Sequence, residues 1–432
     1  MNGPRRTLEE RLKAISGTLG ILIALLALVP QFSKNISDTV DAFINLPPIA
    51  WYLAPVLLLI IGIFALRDGL ARRSRLLRPE ALQLKADNPA HLKGRSEDIQ
   101  RLSMLCHECQ QVHLVGESGA GKSALIQAGL WPALTADKRL FPIYLTVWGQ
   151  DWQDGPRTAL SYALWEALSE EDRGTLGLTT LPQPENLVVI LDQCREKLGR
   201  IPLLIFDQFD DYQTRHRTRF LSPRRRTWIS ADGLTEANAF WRDVKKLIDD
   251  KVVHCLFATR SDTADGLESI RFVDPQVYPL DRLNATFVLP LLTELTAQAE
   301  GIAPVVFAPH RGWGRLKERL ARDLSEDGAV LPVQMKIALQ WLARLKSLTV
   351  RDYERADRLR GLEAAYVEWR IVNTARHSGL TEIHVRTLLT SLADAETLKT
   401  VPRSTADLAK TITVGNTADP SHLKGAVEVA LG

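Results

Sequence analysis

The sequence predicts an α/β domain built on a parallel sheet, set behind an apolar N-terminal segment and followed by helices. Three observations predict it. From Gly94 to about residue 283, short β-rich runs alternate with amphipathic stretches, the pattern of strands joined by helical crossovers. The segment Gly116-Glu-Ser-Gly-Ala-Gly-Lys-Ser123 lies between one such strand and the helix after it. A later apolar run, Leu203-Leu-Ile-Phe, ends in Asp207, 85 residues after Lys122.

The expected strands are Val112–Val115, Pro142–Val147, Leu203–Phe206, Val252–Ala258 and Val277–Leu280. Between them the 3.6-residue period predicts helices over Lys122–Leu130, Arg157–Ser169, Glu185–Leu198 and Glu236–Asp249. Beyond residue 284 the β signal fades, and Asn284–Glu300, Arg315–Leu324, Leu331–Lys346 and Leu362–Thr374 read as helices. In the third of these, Val333, Ile337, Trp341 and Leu345 recur every four residues, and Pro332 sits near the start, where proline is favoured. The chain thus divides into an apolar hairpin (1–66), a basic linker (67–90), a nucleotide domain (91–283), a helical lid (284–360) and a C-terminal helical domain (361–432).

Composition excludes several classes. With 54 Lys and Arg against 51 Asp and Glu, the net charge of +3 is too balanced for a chain whose main work is coating nucleic acid. The 45% hydrophobic and 24% charged residues are globular values and exclude a largely disordered chain. Four Cys exclude a disulfide-stapled secreted scaffold. A mean hydropathy of −0.08 is too polar for a chain lying mostly in a bilayer, but the apolar residues concentrate in the first 66 positions.

That first stretch holds two uncharged runs, from Ala14 to Ser33 and from Ala42 to Leu66, with spans expected at about 14–33 and 45–66. A bilayer crossing takes roughly 20 apolar residues. Trp51 and Tyr52 fall where an interfacial aromatic belt belongs. Arg5, Arg6, Arg11 and Lys13 precede the first run, Arg67, Arg72, Arg73, Arg75 and Arg78 follow the second, and the connecting loop has only Lys34. The positive-inside bias predicts a two-span protein of the plasma (inner) membrane with both termini cytoplasmic. The alternatives are a signal peptide, against which the second run argues, and a pair of buried core helices.

The phosphate loop fits G-x-x-x-x-G-K-[ST] in full, between a strand and a helix. Small residues let the backbone N–H groups of Gly116, Glu117, Ser118, Gly119, Ala120, Gly121, Lys122, Ser123 and Ala124 curl around phosphates, aided by the helix N-terminus. Lys122 is expected to reach the β- and γ-phosphates, and the Ser123 hydroxyl to ligate Mg²⁺. Asp207, ending an apolar strand, is the second expected Mg²⁺ residue. The sequence therefore predicts a P-loop NTPase of the branch with an extra strand between loop strand and Mg²⁺ strand. No Asn-Lys-x-Asp guanine signature appears, which favours ATP over GTP. Many such enzymes place a Glu after the Asp to polarise water; here that place holds Gln208. Asp210 and Asp211 are the candidate bases, with a solvated acidic strand end as the alternative. Arg260, ending the run Cys255-Leu-Phe-Ala-Thr-Arg, is a candidate γ-phosphate sensor, with a surface pair to Asp262 as its alternative.

Together these residues resemble the STAND class of signalling ATPases, in particular bacterial members related to conflict and antiviral systems. The resemblance is carried by Gly94-Arg95, Gly116–Ser123, Asp207-Gln-Phe-Asp-Asp, Thr259-Arg-Ser-Asp262 and Leu331-Pro332, over roughly residues 90 to 432. It implies a nucleotide-held switch that self-associates when a C-terminal sensor is triggered by a protein or nucleic acid, releasing an N-terminal effector. It adds Arg95 to the nucleotide-binding residues. It also implies a winged-helix domain after the lid, matched by Gly379–Leu392 and Pro420–Leu431. The chain then stops where wing strands and a sensor are expected, so the expectation is either a fragment, whose missing part Met1 suggests is C-terminal, or a protein that has lost its sensor. In this class that domain is regulatory, so direct DNA binding is not expected.

Two further features read more simply as structure. Cys106-His-Glu-Cys109 with His113 is half a zinc pattern leading into the loop strand, and helix packing accounts for it. Arg215, Arg217, Arg219, Arg224, Arg225 and Arg226 form a basic run, read as a solvated insertion or as a site for an anionic partner. The functional expectation is a membrane-anchored ATP-dependent signalling switch with slow hydrolysis. The rivals are a membrane-tethered motor for transport or remodelling, and a passive nucleotide-binding scaffold.

Overall fold

A computed structural model describes residues 74–82, 84–85, 87–148, 151–221, 227–297, 302–342, 344–393, 405–413, 425–427 and 429–430. The chain divides into two compact units, Met1–Arg72 and Arg73–Gly432. The expected hairpin and both its spans lie outside the described residues, as do Arg224, Arg225 and Arg226. Among the described residues no helix is long and apolar enough to cross a membrane.

Five parallel strands form the sheet: β1 (Gln111–Gly116), β2 (Leu140–Leu145), β3 (Ile201–Phe206), β4 (His254–Arg260) and β5 (Gln276–Leu280). Their spatial order is β2-β3-β4-β1-β5. The loop strand β1 pairs with β4 (Val112 opposite Leu256) and with β5 (Val112 opposite Gln276). The Asp207 strand β3 is therefore separated from β1 by β2 in sequence and by β4 in space. Strands buried on both faces read as continuous apolar runs, which is why the sequence shows them. One face packs on Leu102, Leu125, Ile126 and Leu130; the other carries Trp148, Phe206, Phe209, Tyr212, Trp241 and Phe257.

Several boundaries differ from expectation, each for a local reason. The strand expected over Pro142–Val147 is Leu140–Leu145, and Val147 is 71% exposed. Pro142 is accommodated because β2 is an edge strand, where a missing N–H can face away from the ladder. The helix expected over Lys122–Leu130 runs on: Lys122–Ala124 leads into a π-helical segment, Leu125–Leu130, and then Trp131–Asp137. Pro132 lacks the N–H for a bond one turn back, and the hydrogen-bond register changes just before it. The helix expected over Glu236–Asp249 is two, Ala231–Ala237 and Ala239–Asp249, because Asn238 leaves helical geometry and its side chain caps Trp241 N at 3.2 Å.

The helical region has its own core of Trp313, Leu316, Leu320, Leu339, Leu342, Tyr353 and Leu362. Its main helices are Val288–Leu295, Trp313–Leu324, Pro332–Leu342 and Arg358–Ser378. The helix expected to begin at Asn284 starts later, since the Asn284 side chain accepts from Thr286 N at 2.9 Å and a short 3-10 turn, Ala285–Phe287, intervenes. The described part of the segment read as a basic linker packs here. Arg75–Leu76 pairs antiparallel with Val306–Phe307, Leu348 N donates to Ser74 O at 2.6 Å, and Leu82 is buried in the core.

After Gly379, whose positive φ of 72° ends the long helix, Glu382–Ser391 is capped by Thr381. It packs with Thr405–Thr413 through Val385, Leu388, Leu408 and Ile412. Residues 425–427 and 429–430, within the second expected winged-helix segment, are helical.

Candidate functional site

The loop leaves β1 at Gly116 and turns through Gly119 and Gly121, whose φ values of +81° and +96° favour glycine. Its curvature is held from inside. Lys122 Nζ donates to Gly116 O at 2.8 Å and to Glu117 O at 3.2 Å. Arg95, nearly buried, donates from Nη2 to Ala120 O at 3.0 Å and Asp281 O at 2.8 Å, and from Nη1 to Asp98 Oδ2 at 3.1 Å. Arg95 thus ties the loop to the end of β5.

A cavity of about 430 Å³ opens above the loop. It gathers Lys122, Ser123, Asp207, Asp210, Asp211 and Arg260 from three strand ends. Arg95, Ser118, Gly119, Ala120, Gly121 and Ala124 also line it. Glu117 turns elsewhere: its carboxylate accepts from Arg282 Nε at 2.7 Å and Nη2 at 3.0 Å, and Arg282 Nη1 reaches Glu326 Oε2 at 2.6 Å. That ion pair holds the Glu117 carboxyl below its usual range. Gly116 contributes its carbonyl to Lys122 and has no room for a side chain, since a Cβ there would lie 2.9 Å from Leu280 O.

The electrostatics follow from burial. Desolvation lowers the Lys122 pKa, opposed by the charges of Asp210 and Asp207. Burial, and then Asp211, raises that of Asp210. Arg260 makes a two-bond pair with Asp262, at 2.9 and 2.6 Å, while still lining the cavity. The pair with Asp262 is thus present in a side chain that also lines the cavity. Gln208 follows Asp207 in a left-handed conformation (φ 54°), which brings its own N–H to Asp207 Oδ1 at 2.9 Å.

The helical region closes the cavity. Val333 N donates to Gly119 O at 3.3 Å, and Pro332, Val333, Met335 and Lys336 line the opening. A Cβ on Gly119 would sit 2.3 Å from Val333 Cγ1, so loop and lid helix meet without room for one carbon.

The donor set fits a magnesium nucleotide. Mg²⁺ takes hard oxygens, commonly one or two carboxylates completed by substrate phosphates. Ser123 and Asp207 supply a hydroxyl and a carboxylate to one cavity. Among the described residues no group of three or more His, Cys, Asp or Glu could hold a metal alone. The half zinc pattern is occupied in packing: Cys106 is buried, and His113 Nε2 pairs with Gln111 Nε2 at 2.7 Å.

Sequence reasoning missed Tyr144, Gln127 and Trp148. Tyr144 hydroxyl donates to Asp207 Oδ2 at 2.6 Å and accepts from Gln127 Nε2 at 2.6 Å. Trp148 Nε1 donates to Asp207 O at 3.2 Å. The rule that ligands gather at strand C-terminal ends, which singles out Arg260 on β4, singles out Tyr144 when applied to β2.

Sheet order, loop and Asp-terminated strand define a P-loop NTPase with a helical lid. The chain belongs to the nSTAND1 family, Novel STAND NTPase 1, whose model matches residues 83–424. It is accordingly a nucleotide-binding protein of the STAND type. No curated protein matches it in sequence. Among solved structures it is similar to a Walker-type ATPase of Pyrococcus abyssi, at 14% identity and TM-score 0.40, over 81% of this chain and 99% of that one. It is also similar to the Aeropyrum pernix ORC2 protein in ADPNP–ADP complexes, at 12% identity and TM-score 0.42, over 82% and 99%. A third is Cdc6p from Pyrobaculum aerophilum, at 13% identity and TM-score 0.37, over 82% and 89%.

Proposed function

We propose that this STAND NTPase is a membrane-anchored, Mg²⁺-ATP-dependent switch that self-associates in one nucleotide state, acts on the membrane through its N-terminal hairpin, and serves bacterial defence. The observation that carries the reading is the lid contact. The first turn of Pro332–Leu342 touches the phosphate loop at Gly119, so what the loop holds and where the lid sits form one equilibrium. A ligand shifts such an equilibrium by its differential affinity for the two states, and a nucleotide between loop and lid has that difference.

Each residue has a task in this reading. Lys122 would exchange its two carbonyl partners for β- and γ-phosphate oxygens. Ser123 and Asp207 would hold Mg²⁺, which when bound neutralises charge on the phosphate oxygens. Arg260, fixed by Asp262, would present positive charge from β4. The exposed Gln208 offers no carboxylate next to Asp207, and of the two candidate bases lining the cavity Asp210 is buried and Asp211 exposed. Without the usual base, turnover suits a switch better than a motor, which needs fast hydrolysis. The membrane and defence roles rest on the apolar runs and on the class resemblance. The trigger would be a protein or nucleic acid sensed through a C-terminal part.

The reading is tested by expressing the intact gene with its trigger and comparing wild type with Asp207→Ala and Arg260→Ala. Wild type is expected to depolarise the membrane and to form larger particles in detergent than either variant. If all three behave alike, nucleotide does not gate the hairpin, and a constitutively anchored ATPase replaces the switch. Topology has its own expected result. With nine Lys or Arg residues flanking the apolar runs and one between them, protease added to intact spheroplasts leaves everything beyond Arg67 uncut. Cleavage there from outside inverts the orientation.

A further inference from the structure

Asp207 carries the only side-chain negative charge expected to touch the ion, and its carboxylate is completely buried. Both its oxygens are held. Oδ1 accepts from the Gln208 N–H at 2.9 Å, and Oδ2 accepts from the Tyr144 hydroxyl at 2.6 Å. The Tyr144 hydroxyl spends its one proton on Asp207, which leaves the phenolic oxygen to receive Gln127 Nε2 at 2.6 Å. The chain Gln127–Tyr144–Asp207 therefore has one direction. Each bond in such a chain polarises the next.

Its route is what gives it a function. Gln127 lies about one helical turn beyond Ser123, in the π-helical segment Leu125–Leu130. Tyr144 stands near the end of β2, opposite Ile205 of β3. The chain runs from the helix that bears the hydroxyl donor to the strand end that bears the carboxylate donor, across a third element. Packing fixes its middle: the Trp131 ring meets the Tyr144 ring edge-on at 6.1 Å and 86°. Each Asp207 oxygen keeps a second lone pair, so neither bond uses up its capacity to hold an ion.

We propose that Gln127 and Tyr144 are positioning residues that orient Asp207 against Ser123, and that this relay sets the Mg²⁺ affinity of the site. The inference rests on the reading of the cavity as a Mg²⁺-ATP site and deepens it. Outer partners of a metal-binding carboxylate orient it, and their loss commonly costs ~10–100-fold in metal affinity. Tyr144→Phe keeps the ring and its packing and removes only the hydroxyl. Gln127→Leu removes only the bond that directs it.

The experiment uses the full-length chain in mild detergent with a fluorescent ATP analogue. Affinity is measured in EDTA and then as a function of Mg²⁺. Tyr144→Phe is expected to raise the Mg²⁺ concentration at half effect about tenfold or more. Gln127→Leu is expected to raise it by a smaller factor. Affinity in EDTA and the Tm of the nucleotide-free variants are expected to match wild type. A midpoint within twofold of wild type for Tyr144→Phe overturns the proposal. So does a parallel fall of affinity in EDTA, which marks Tyr144 as a structural residue only. A wild type that binds nucleotide equally with Mg²⁺ and with EDTA overturns the Mg²⁺ reading itself, and the relay with it. Normal Mg²⁺ dependence in wild type with an unchanged Tyr144→Phe overturns the relay alone.

Discussion

Lys122→Ala abolishes measurable ATP binding at micromolar concentrations. Lys122 Nζ sits inside the loop on Gly116 O and Glu117 O, where burial lowers its pKa. A partly desolvated ammonium with only carbonyl partners gains most from an anion, because charge-assisted hydrogen bonds strengthen as water is excluded. Hydrogen bonds to charged groups are worth about 1.5–3 kcal/mol each, so losing two phosphate contacts weakens binding by more than a hundredfold. Arg260, already committed to Asp262, does not substitute. Isothermal titration with ATP and Mg²⁺ checks this, with a thermal melt to show that the variant is folded. Retained micromolar affinity in a folded Lys122→Ala protein would remove the loop from nucleotide binding.

The parts of this site that the sequence discloses are those fixed by backbone geometry. Gly119 and Gly121 occupy positive-φ positions that a motif can demand, and Lys122 and Ser123 follow them at a set spacing. Asp207 is legible because strands buried on both faces must be apolar, so a charge at the end of one is conspicuous. Strands β1 to β4 are legible for the same reason, whereas β5 is an edge strand with only Leu280 buried. Helix boundaries differ where a side chain competes with the backbone. Asn238 caps a new helix inside a stretch whose apolar period looks unbroken, and Asn284 caps a 3-10 turn at the start of another. The polar network was not legible. Tyr144 meets Asp207 across 63 residues of sequence, and Arg282 meets Glu117 across 165. Nothing in local composition separates a tyrosine that orients a carboxylate from one that fills a core. Arg95 illustrates the limit from the other side. The class resemblance singled it out, and its guanidinium donates to Ala120 O, Asp281 O and Asp98, so it shapes the loop as well as lining the cavity.

Gly119→Ala is expected to speed nucleotide release from preloaded protein by at least tenfold, through two separable effects. The first is backbone strain. Gly119 has φ +81°, and a residue with a Cβ pays roughly 1–2 kcal/mol in the left-handed region. The second is the lid. The added Cβ would lie 2.3 Å from Val333 Cγ1 and 2.9 Å from Val333 Cβ, so either the loop deforms or the first turn of Pro332–Leu342 retreats. Retreat also breaks the Val333 N to Gly119 O bond and uncovers the cavity that Met335 and Lys336 help to line. Val333→Gly in the Gly119→Ala background removes both clashing atoms and leaves the backbone strain. Release from the double variant should therefore fall between wild type and Gly119→Ala. Stopped-flow displacement of a fluorescent nucleotide measures all three rates. An unchanged rate in Gly119→Ala would mean that the lid contact does not govern nucleotide retention. A double variant as fast as the single one would assign the whole effect to the loop, and the coupling of lid to loop, on which the switch depends, would have to be sought elsewhere.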